Sequence, residues 1–509
     1  MVVIVPELRR LKPLAIGPVA LLAALKLALH LWVNAATPYG FHRDEFLYLA
    51  MGRHLRLWAM DFPPGIALLA EATRALAGDS LVAIRLGPAV GGAALVVAAA
   101  LFARQLGGGR QAQALAALAV LASPLFLRSA TLFQPVILDQ LAWTAALFAV
   151  TRLSWSPDPR WWLALGVALG LGLLVKFSIA FIGLGIVAAI LLTPLRRSLL
   201  TPWPWMALAT ALAVGSPSLV GQWRLGYPVL GQMASLREVQ LERVTPGAFL
   251  LDQLLWGPTT LLAAGGMVAL LAAKRFLRFR ALGWSCAGAL VVLLVFQGKS
   301  YYLGPVYPAL FGAGAVQLGR TRLSWAVAAL MLVYAVALLP LGVPILAPAR
   351  MATYIQAIGA TPALRTNSGG VERLPQDYAD MLGWEEQVAA VARVYHGLPE
   401  EERRQAVILA QNYGEAAAID FFGPRQGLPP AVSPAGSYWF FGPGDKPGEV
   451  VVAVEGNQRD LEPFFDSVQA ATRITHPWAV AEERDLTVFV ARRPLRTLQE
   501  VWPALAGRN

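Results

Sequence analysis

Four acidic residues in the first third of the chain have the type and spacing to do chemistry. Asp44 and Glu45 stand in Tyr39-Gly-Phe-His-Arg-Asp-Glu-Phe-Leu-Tyr-Leu-Ala, which ends at Ala50 and directly follows a long apolar run. Asp61 opens Asp61-Phe62-Pro63-Pro64-Gly65, and Asp139 lies in Gln134-Pro135-Val136-Ile137-Leu138-Asp139-Gln140. Carboxylates at the edge of apolar segments are costly, so each is a functional candidate with a partner expected. Tyr48, four residues past Asp44, would share its helix face. Asp44 and Glu45 diverge by about 100° on a helix, so at most one points at a bound substrate. Bland readings stay open at this point. Asp44 could cap an interfacial helix, Glu45 could pair with Arg43 or His42, Asp61 could be a turn residue, and Asp139 could pair with Arg128.

Two lysines supply the opposite charge. Lys176 follows Trp161-Trp162 and the apolar run after them, about 22 Å along a helix that starts at Trp161. It either snorkels to the interface or meets a phosphate. Lys299, in Gln297-Gly298-Lys299-Ser300-Tyr301-Tyr302, falls between two apolar runs as an interface anchor or a phosphate ligand. One carboxylate facing lysines suits sugar transfer from a polyprenyl phosphate. The leaving phosphate monoester has a second pKa of about 6 and needs no general acid. A base must take the acceptor's hydroxyl proton, and cations must hold the departing charge. Glycoside hydrolysis would need two carboxylates flanking the bond. A single displacement inverts the anomeric carbon.

The elements that would position these groups are membrane spans. Of 509 residues, 57% are hydrophobic and 14% charged, with mean hydropathy +0.54, far from the roughly 25% charge of soluble chains. Apolar runs fall near 13–34, 80–103, 111–127, 132–151, 161–175, 177–193, 203–222, 248–273, 281–297, 301–318 and 323–346, about eleven helices. The net charge of +11 is concentrated in short clusters between these runs, which argues for membrane orientation and against nucleic acid. With Arg9, Arg10 and Lys12 on the cytoplasmic side, alternate loops also carry basic residues: Arg104/Arg110, Arg152/Arg160, Arg196/Arg197, Lys274/Arg275/Arg278/Arg280 and Arg320/Arg322. The reading is a retained first span, a cytoplasmic N-terminus and an outer C-terminal part, in a bacterial-type inner membrane. The single Cys286 excludes an intrachain disulfide.

The predicted division is a transmembrane domain over 1–346, with juxtamembrane helices in the loop 35–79, and an extracytoplasmic α/β domain over 347–509. In the latter, 406–410, 437–441, 449–455 and 486–491 read as strands, 414–422 and 460–474 as helices, and the Gly/Pro-rich 423–447 as loop.

The acidic pair followed by the D-x-P-P segment resembles the protein O-mannosyltransferase superfamily, the family-39 glycosyltransferases, whose bacterial members include aminoarabinose transferases acting on lipid A. The likeness extends to Gly172-Leu173-Leu174-Val175-Lys176, to Gly221-Gln222-Trp223-Arg224-Leu225-Gly226-Tyr227-Pro228, to Lys299-Ser300-Tyr301-Tyr302-Leu303 and to Asn412-Tyr413-Gly414-Glu415-Ala416-Ala417-Ala418-Ile419-Asp420. It implies an α-helical polytopic GT-C fold with an outward cavity and a polyprenyl-phosphate-sugar donor. By that resemblance Asp44 matches the essential first-loop acid and presumed base, Glu45 its catalytic neighbour, and Asp61 the acid before the prolines. Lys176 resembles the lysine that ends a span there, and Lys299 with Tyr301 resembles the later donor-phosphate region; Lys176, Tyr48, Asp139, Gln222 and Tyr302 are also expected at the substrate. Phe62 stands where some relatives have lysine, and the β-trefoil-like insertion of eukaryotic relatives is missing, which puts a protein acceptor in doubt. The acceptor is a hydroxyl on a lipid, glycan or protein. No cofactor is required, although the four acids could bind a divalent cation. The rival reading is a membrane transporter of a lipid or amphiphile, which would show repeat halves and broken helices.

Overall fold

The chain's computed structural model describes residues 11–505 apart from 157 and 368; Arg9 and Arg10 of the orientation argument lie outside the described residues. Five helices are each long and apolar enough to cross a membrane: Ile16–Ala36, Leu81–Gln105, Pro135–Leu153, Trp203–Arg224 and Lys274–Val295. The number rises to seven if each of two bent pairs is one span, Ile179–Leu192 with Pro194–Leu200 (97°) and Pro246–Trp256 with Pro258–Ala272 (115°). The other expected crossings coincide with shorter helices, Arg110–Ala122, Arg160–Leu173, Tyr307–Leu318 and Arg322–Ala337. Every expected apolar run is therefore helical, and length and composition alone support five to seven crossings. The core of the bundle is built from Ala, Leu, Val and Phe, with Cys286 buried in it.

The first helix, α1 (Ile16–Ala36), is followed by α2 (Arg43–Arg53) and α3 (Gly65–Ala77) in the first loop. The helix that carries Asp44 and Glu45, α2, stops at Arg53. Pro63 and Pro64 fix the entry to α3, with Pro64 at its N-cap.

After the bundle come helices Pro348–Ala357 and Gln376–Ala379, where Met351, Ile355 and Tyr378 pack with Tyr39 and Leu132. Beyond them lies a five-stranded mixed sheet of β1 (Val407–Ala410), β2 (Ala431–Val432), β3 (Val450–Glu455), β4 (Phe465–Thr475) and β5 (Asp485–Pro494). Its order is β2-β1-β3-β5-β4. Strand β1 runs parallel to β2 and β3, while β5 is antiparallel to β3 and β4.

Two expectations for this domain are corrected. The stretch 460–474, read as helical, supplies most of edge strand β4, which pairs with β5 through a bulge at Ala470/Thr472. Its apolar residues sit at near-helical spacing, but pairing along one side of β5 overrides that pattern. The aromatic run Ser437–Phe441, read as a strand, is a five-residue helix between Gly436 (φ 56°) and Gly442 (φ 97°). Positive φ at both ends breaks an extended chain before it can join the sheet. The 414–422 helix is present as Tyr413–Phe422.

Candidate active site

The adjacent acids of α2 have opposite fates. Glu45 is fully buried, and Arg85 grips it with two nitrogens, Nε on Oε1 at 2.8 Å and Nη2 on Oε2 at 2.7 Å. The backbone N–H of Phe133 donates to Oε1 at 2.7 Å, and that of His42 to Oε2 at 2.7 Å. Burial alone would raise the carboxyl, but the Arg85 charge and these hydrogen bonds hold it below its ordinary value. With its acceptor sites filled, Glu45 cannot take a substrate proton. Its expected catalytic place is corrected to a positioning one: it clamps the start of α2 to the Leu81–Gln105 helix region and to the loop before Pro135. Of the bland readings, the Arg43 pair is replaced by Arg85, and the tie to His42 runs through the backbone, in the reciprocal cap of α2.

Asp44 does not cap α2, because His42 does. The Asp44 N–H donates to His42 Nδ1 at 3.1 Å, which leaves the His42 proton on Nε2. The Asp44 carboxylate is 30% exposed, against 0% for Glu45. Its oxygens accept from two neutral donors, Tyr413 Oη on Oδ1 and Gln134 Nε2 on Oδ2, each at 3.0 Å. Together with Tyr48 and Asp61 it lines a cavity of about 1460 Å³, roomier than the roughly 300–1,000 Å³ of a drug-sized site. One wall is the Pro228–Val239 helix, which presents Pro228, Gly231, Gln232, Ser235, Leu236 and Val239 from one face; the opposite wall is the C-terminal domain.

Asp61 accepts from Ser437 Oγ at 2.7 Å. Burial raises its carboxyl, partly offset by that hydrogen bond. Tyr48 is buried with its phenol pushed well up, so it faces the cavity as a neutral hydroxyl. Gln222 is corrected from a substrate contact to a brace. Its amide donates to the Asp61 carbonyl at 2.5 Å and accepts from Val229 N–H at 2.9 Å, fixing the start of the cavity-wall helix to the Asp61 loop.

The lysines form a second group, which is not part of the lining of that cavity. Lys176 lies in the turn between Arg160–Leu173 and Ile179–Leu192, not within a helix. Its ammonium stands 4.2 Å from the Tyr302 ring centre and 5.6 Å from that of Tyr301. Tyr301 and Tyr302 pack edge-to-face at 4.7 Å. Lys299 begins the same segment, and its charge is felt by Asp44, Asp377 and Tyr302. Burial, helped by the nearby Lys176 charge, lowers its ammonium below the ordinary lysine value. Among the described residues neither lysine forms an ion pair within 4.0 Å. Asp139 is buried, accepts from Ser178 Oγ at 2.8 Å, and lies in electrostatic reach of Lys176. It does not pair with Arg128, which instead binds Asp377 at 2.6 Å and lies over Tyr378.

Several residues here had no sequence signal. His42 Nε2 lies 3.9 Å from Asp377 and 3.8 Å from Asp380, and Arg43 binds Asp380 at 2.8 Å and Glu482 at 2.9 Å. These partners are hundreds of positions apart and meet only because the C-terminal domain folds back over the first loop. His42 and Arg43 were visible as neighbours of Asp44; Arg85, Asp377 and Asp380 were marked by nothing local. The four expected acids are not brought together, and among the described residues no three His, Cys, Asp or Glu side chains are placed to hold a metal ion.

Residues 61–223 match the family model described as dolichyl-phosphate-mannose-protein mannosyltransferase. Over the whole chain the structure superposes on ArnT from Cupriavidus metallidurans. The ArnT bound to undecaprenyl phosphate gives a TM-score of 0.61 at 17% identity, covering 93% of this chain and 98% of that one. The apo form gives 0.62 at 18%, covering 97% and 100%. The fold is that of ArnT. The oligosaccharyltransferase AglB from Archaeoglobus fulgidus, in complex with an inhibitory peptide and a dolichol-phosphate, is more distant: TM-score 0.50 and 13% identity over 86% of this chain and 69% of that chain. Against curated proteins the sequence finds no match. The membrane GT-C fold and the resemblance to the O-mannosyltransferase superfamily read from the sequence are thus both borne out, and the chain is a multi-pass membrane protein.

Proposed function

We propose that this chain is an integral membrane glycosyltransferase that moves a sugar from a polyprenyl-phosphate donor to a hydroxyl acceptor on the extracytoplasmic face, with inversion and with Asp44 as general base. The observation that carries the reading is the state of Asp44: a partly open carboxylate on the wall of a large cavity, held by neutral donors and within the field of an unpaired lysine. A carboxylate neutralised by an arginine, as Glu45 is, would be a poor base.

In the proposed reaction the acceptor hydroxyl enters beside Asp44, which accepts its proton as the oxygen attacks the anomeric carbon. The bond to the lipid phosphate breaks on the opposite face of the sugar. The departing phosphate gains charge near Lys176 and Lys299, whose ammonium groups are not committed to protein carboxylates. Tyr301 and Tyr302 keep the Lys176 charge in place through their ring faces. The likeness of the fold to ArnT bound to undecaprenyl phosphate supports a lipid-phosphate carrier. The basic inner loops support a cytoplasmic N-terminus and an outer cavity.

Lipid extraction from the purified protein followed by mass spectrometry identifies the donor. Asp44→Asn is then assayed with that lipid, with an expected loss of turnover of at least about 10²-fold and unchanged donor retention. An Asp44→Asn protein that transfers sugar at the normal rate removes Asp44 as the base.

A further inference from the structure

The motif Asn412-Tyr413-Gly414-Glu415 lies in the C-terminal domain, yet one of its residues reaches Asp44. Strand β1 ends at Ala410, and the helix Tyr413–Phe422 begins at once. Asn412 caps it, its Oδ1 accepting from Gly414 N–H at 2.8 Å and Glu415 N–H at 3.1 Å. Glu415 completes the reciprocal cap and also accepts from Gln411 N–H at 2.9 Å. That rigid start leaves the Tyr413 phenol to reach across the domain boundary and donate to Asp44 Oδ1 at 3.0 Å. Gly414 packs against α2: a Cβ there would stand 2.5 Å from Arg43 Cγ and 3.0 Å from Trp384. Arg43, held by Asp380 and Glu482, therefore lies directly against the start of this helix.

The place in the sheet is equally telling. The cavity reaches the carboxyl ends of the parallel strands β1 and β3, through Ala410, Gln411 and Asn412 on one and Val454 and Glu455 on the other. Loops at such strand ends are the customary binding edge of an open α/β sheet. Here the edge is turned onto a membrane-domain carboxylate.

We infer that the C-terminal domain completes the active site, with Tyr413 as a positioning residue that fixes the rotamer of Asp44 and the direction in which it accepts a proton. The inference rests on the reading of Asp44 as the base. Tyr413 holds Oδ1 and Gln134 holds Oδ2, so the carboxylate plane is fixed from two domains while Asp44 still lines the cavity. Tyr413 is partly buried and its phenol is pushed well up by desolvation and by the Asp44 charge, so it stays a hydrogen-bond donor at working pH. Removing its hydroxyl leaves the ring in place and frees Oδ1 to turn. The donor lipid is bound elsewhere, around Lys176 and Lys299, so a positional defect shows in kcat and not in the KM for donor.

The test uses the full-length protein in detergent with the donor lipid identified by extraction. Tyr413→Phe is expected to lower kcat about 10- to 100-fold, with donor KM and thermal stability within twofold and a few degrees of the wild type. Gly414→Ala, which pushes Arg43 away and parts the two helices, is expected to lower kcat as well. Tyr395→Phe, which loses a phenol bonded to the Arg403 carbonyl and outside the cavity lining, should turn over normally. A Tyr413→Phe protein with wild-type kcat, or one that loses only donor affinity, overturns the inference. An inactive Asp44→Asn beside a normal Tyr413→Phe overturns it alone and leaves the base assignment standing. An active Asp44→Asn overturns the base assignment, and with it the route by which Tyr413 is held to act.

Discussion

At the scale of single residues, two neighbours in one helix turn carry the same kind of side chain in opposite surroundings, Glu45 sealed against Arg85 and Asp44 open to the cavity. Glu45 has a depressed carboxyl pKa because Arg85 and two backbone N–H groups outweigh burial. A depressed carboxylate contributes stability above its unfolded value, ordinarily 4.5, and loses it as pH falls through the lower folded value. Glu45→Gln should therefore unfold at clearly lower temperature at pH 7, by an amount equivalent to about 3–5 kcal/mol for a broken buried pair. The gap to wild type should narrow in acid. A constant gap in differential scanning fluorimetry from pH 7 to pH 3 would refute the ion-pair account. Lys299 has the opposite sign. Its ammonium is lowered by burial and by Lys176 from an ordinary 10.5, so it loses its proton as pH rises sooner than a solvated lysine does. Donor KM should climb on the alkaline side, and Lys299→Arg, always charged, should flatten that climb. A variant whose KM follows the wild-type curve would show that Lys299 is only an anchor. None of this was legible in sequence beyond the residue types, since Arg85 lies 40 positions from Glu45 and Tyr413 lies 369 from Asp44.

At the scale of elements, the turn after the Arg160–Leu173 helix and the entry to α3 are built as one piece. Gly65 N–H donates to the Leu174 carbonyl at 2.6 Å, two residues before Lys176. A Cβ at Gly65 would meet the same carbonyl oxygen at 2.5 Å, closer than real carbon contacts, so the two backbones must part. Gly65→Ala is expected to cost about 1–3 kcal/mol as overpacking and to raise donor KM, because the turn that carries Lys176 moves with Leu174. Full thermal stability together with unchanged donor kinetics would show that the contact is slack. The D-x-P-P-G segment was readable as a helix start because proline fixes φ. Its glycine was not readable, because the reason for it is a carbonyl more than a hundred positions away. The same limit explains the misread strand and helix of the C-terminal domain. In 460–474 and 437–441 the local pattern was ambiguous, and tertiary pairing in one case and flanking glycines in the other decided it.

At the scale of the whole molecule, apolar runs made the bundle legible, since lipid leaves the backbone few choices but helix. How the C-terminal domain meets the first loop was hidden, because a buried charged junction has no periodicity. Arg43 is the centre of that junction. Its guanidinium serves Asp380, Glu482 and, at 4.0 Å, Glu483. Burial raises the carboxyls of Asp380 and Glu483, and Arg43 is the largest influence pulling each back down. Arg43→Met removes that pull, so both acids rise further and resist ionising while docked. A raised carboxyl contributes docking stability that is complete below its free value and is lost as pH rises through its docked value. The variant domain should therefore stay seated in acid and loosen towards neutral pH, while the wild type stays seated at both. Hydrogen exchange, corrected for intrinsic rate, reads this directly in the amides of α2 and of Tyr413–Phe422. Protection in Arg43→Met should match the wild type at pH 5 and fall by an order of magnitude or more at pH 8, with turnover falling in parallel as Tyr413 leaves Asp44. Equal protection at the two pH values would mean that apolar packing of Phe46 against Trp384, Phe421 and Phe422 holds the domain down without the charges.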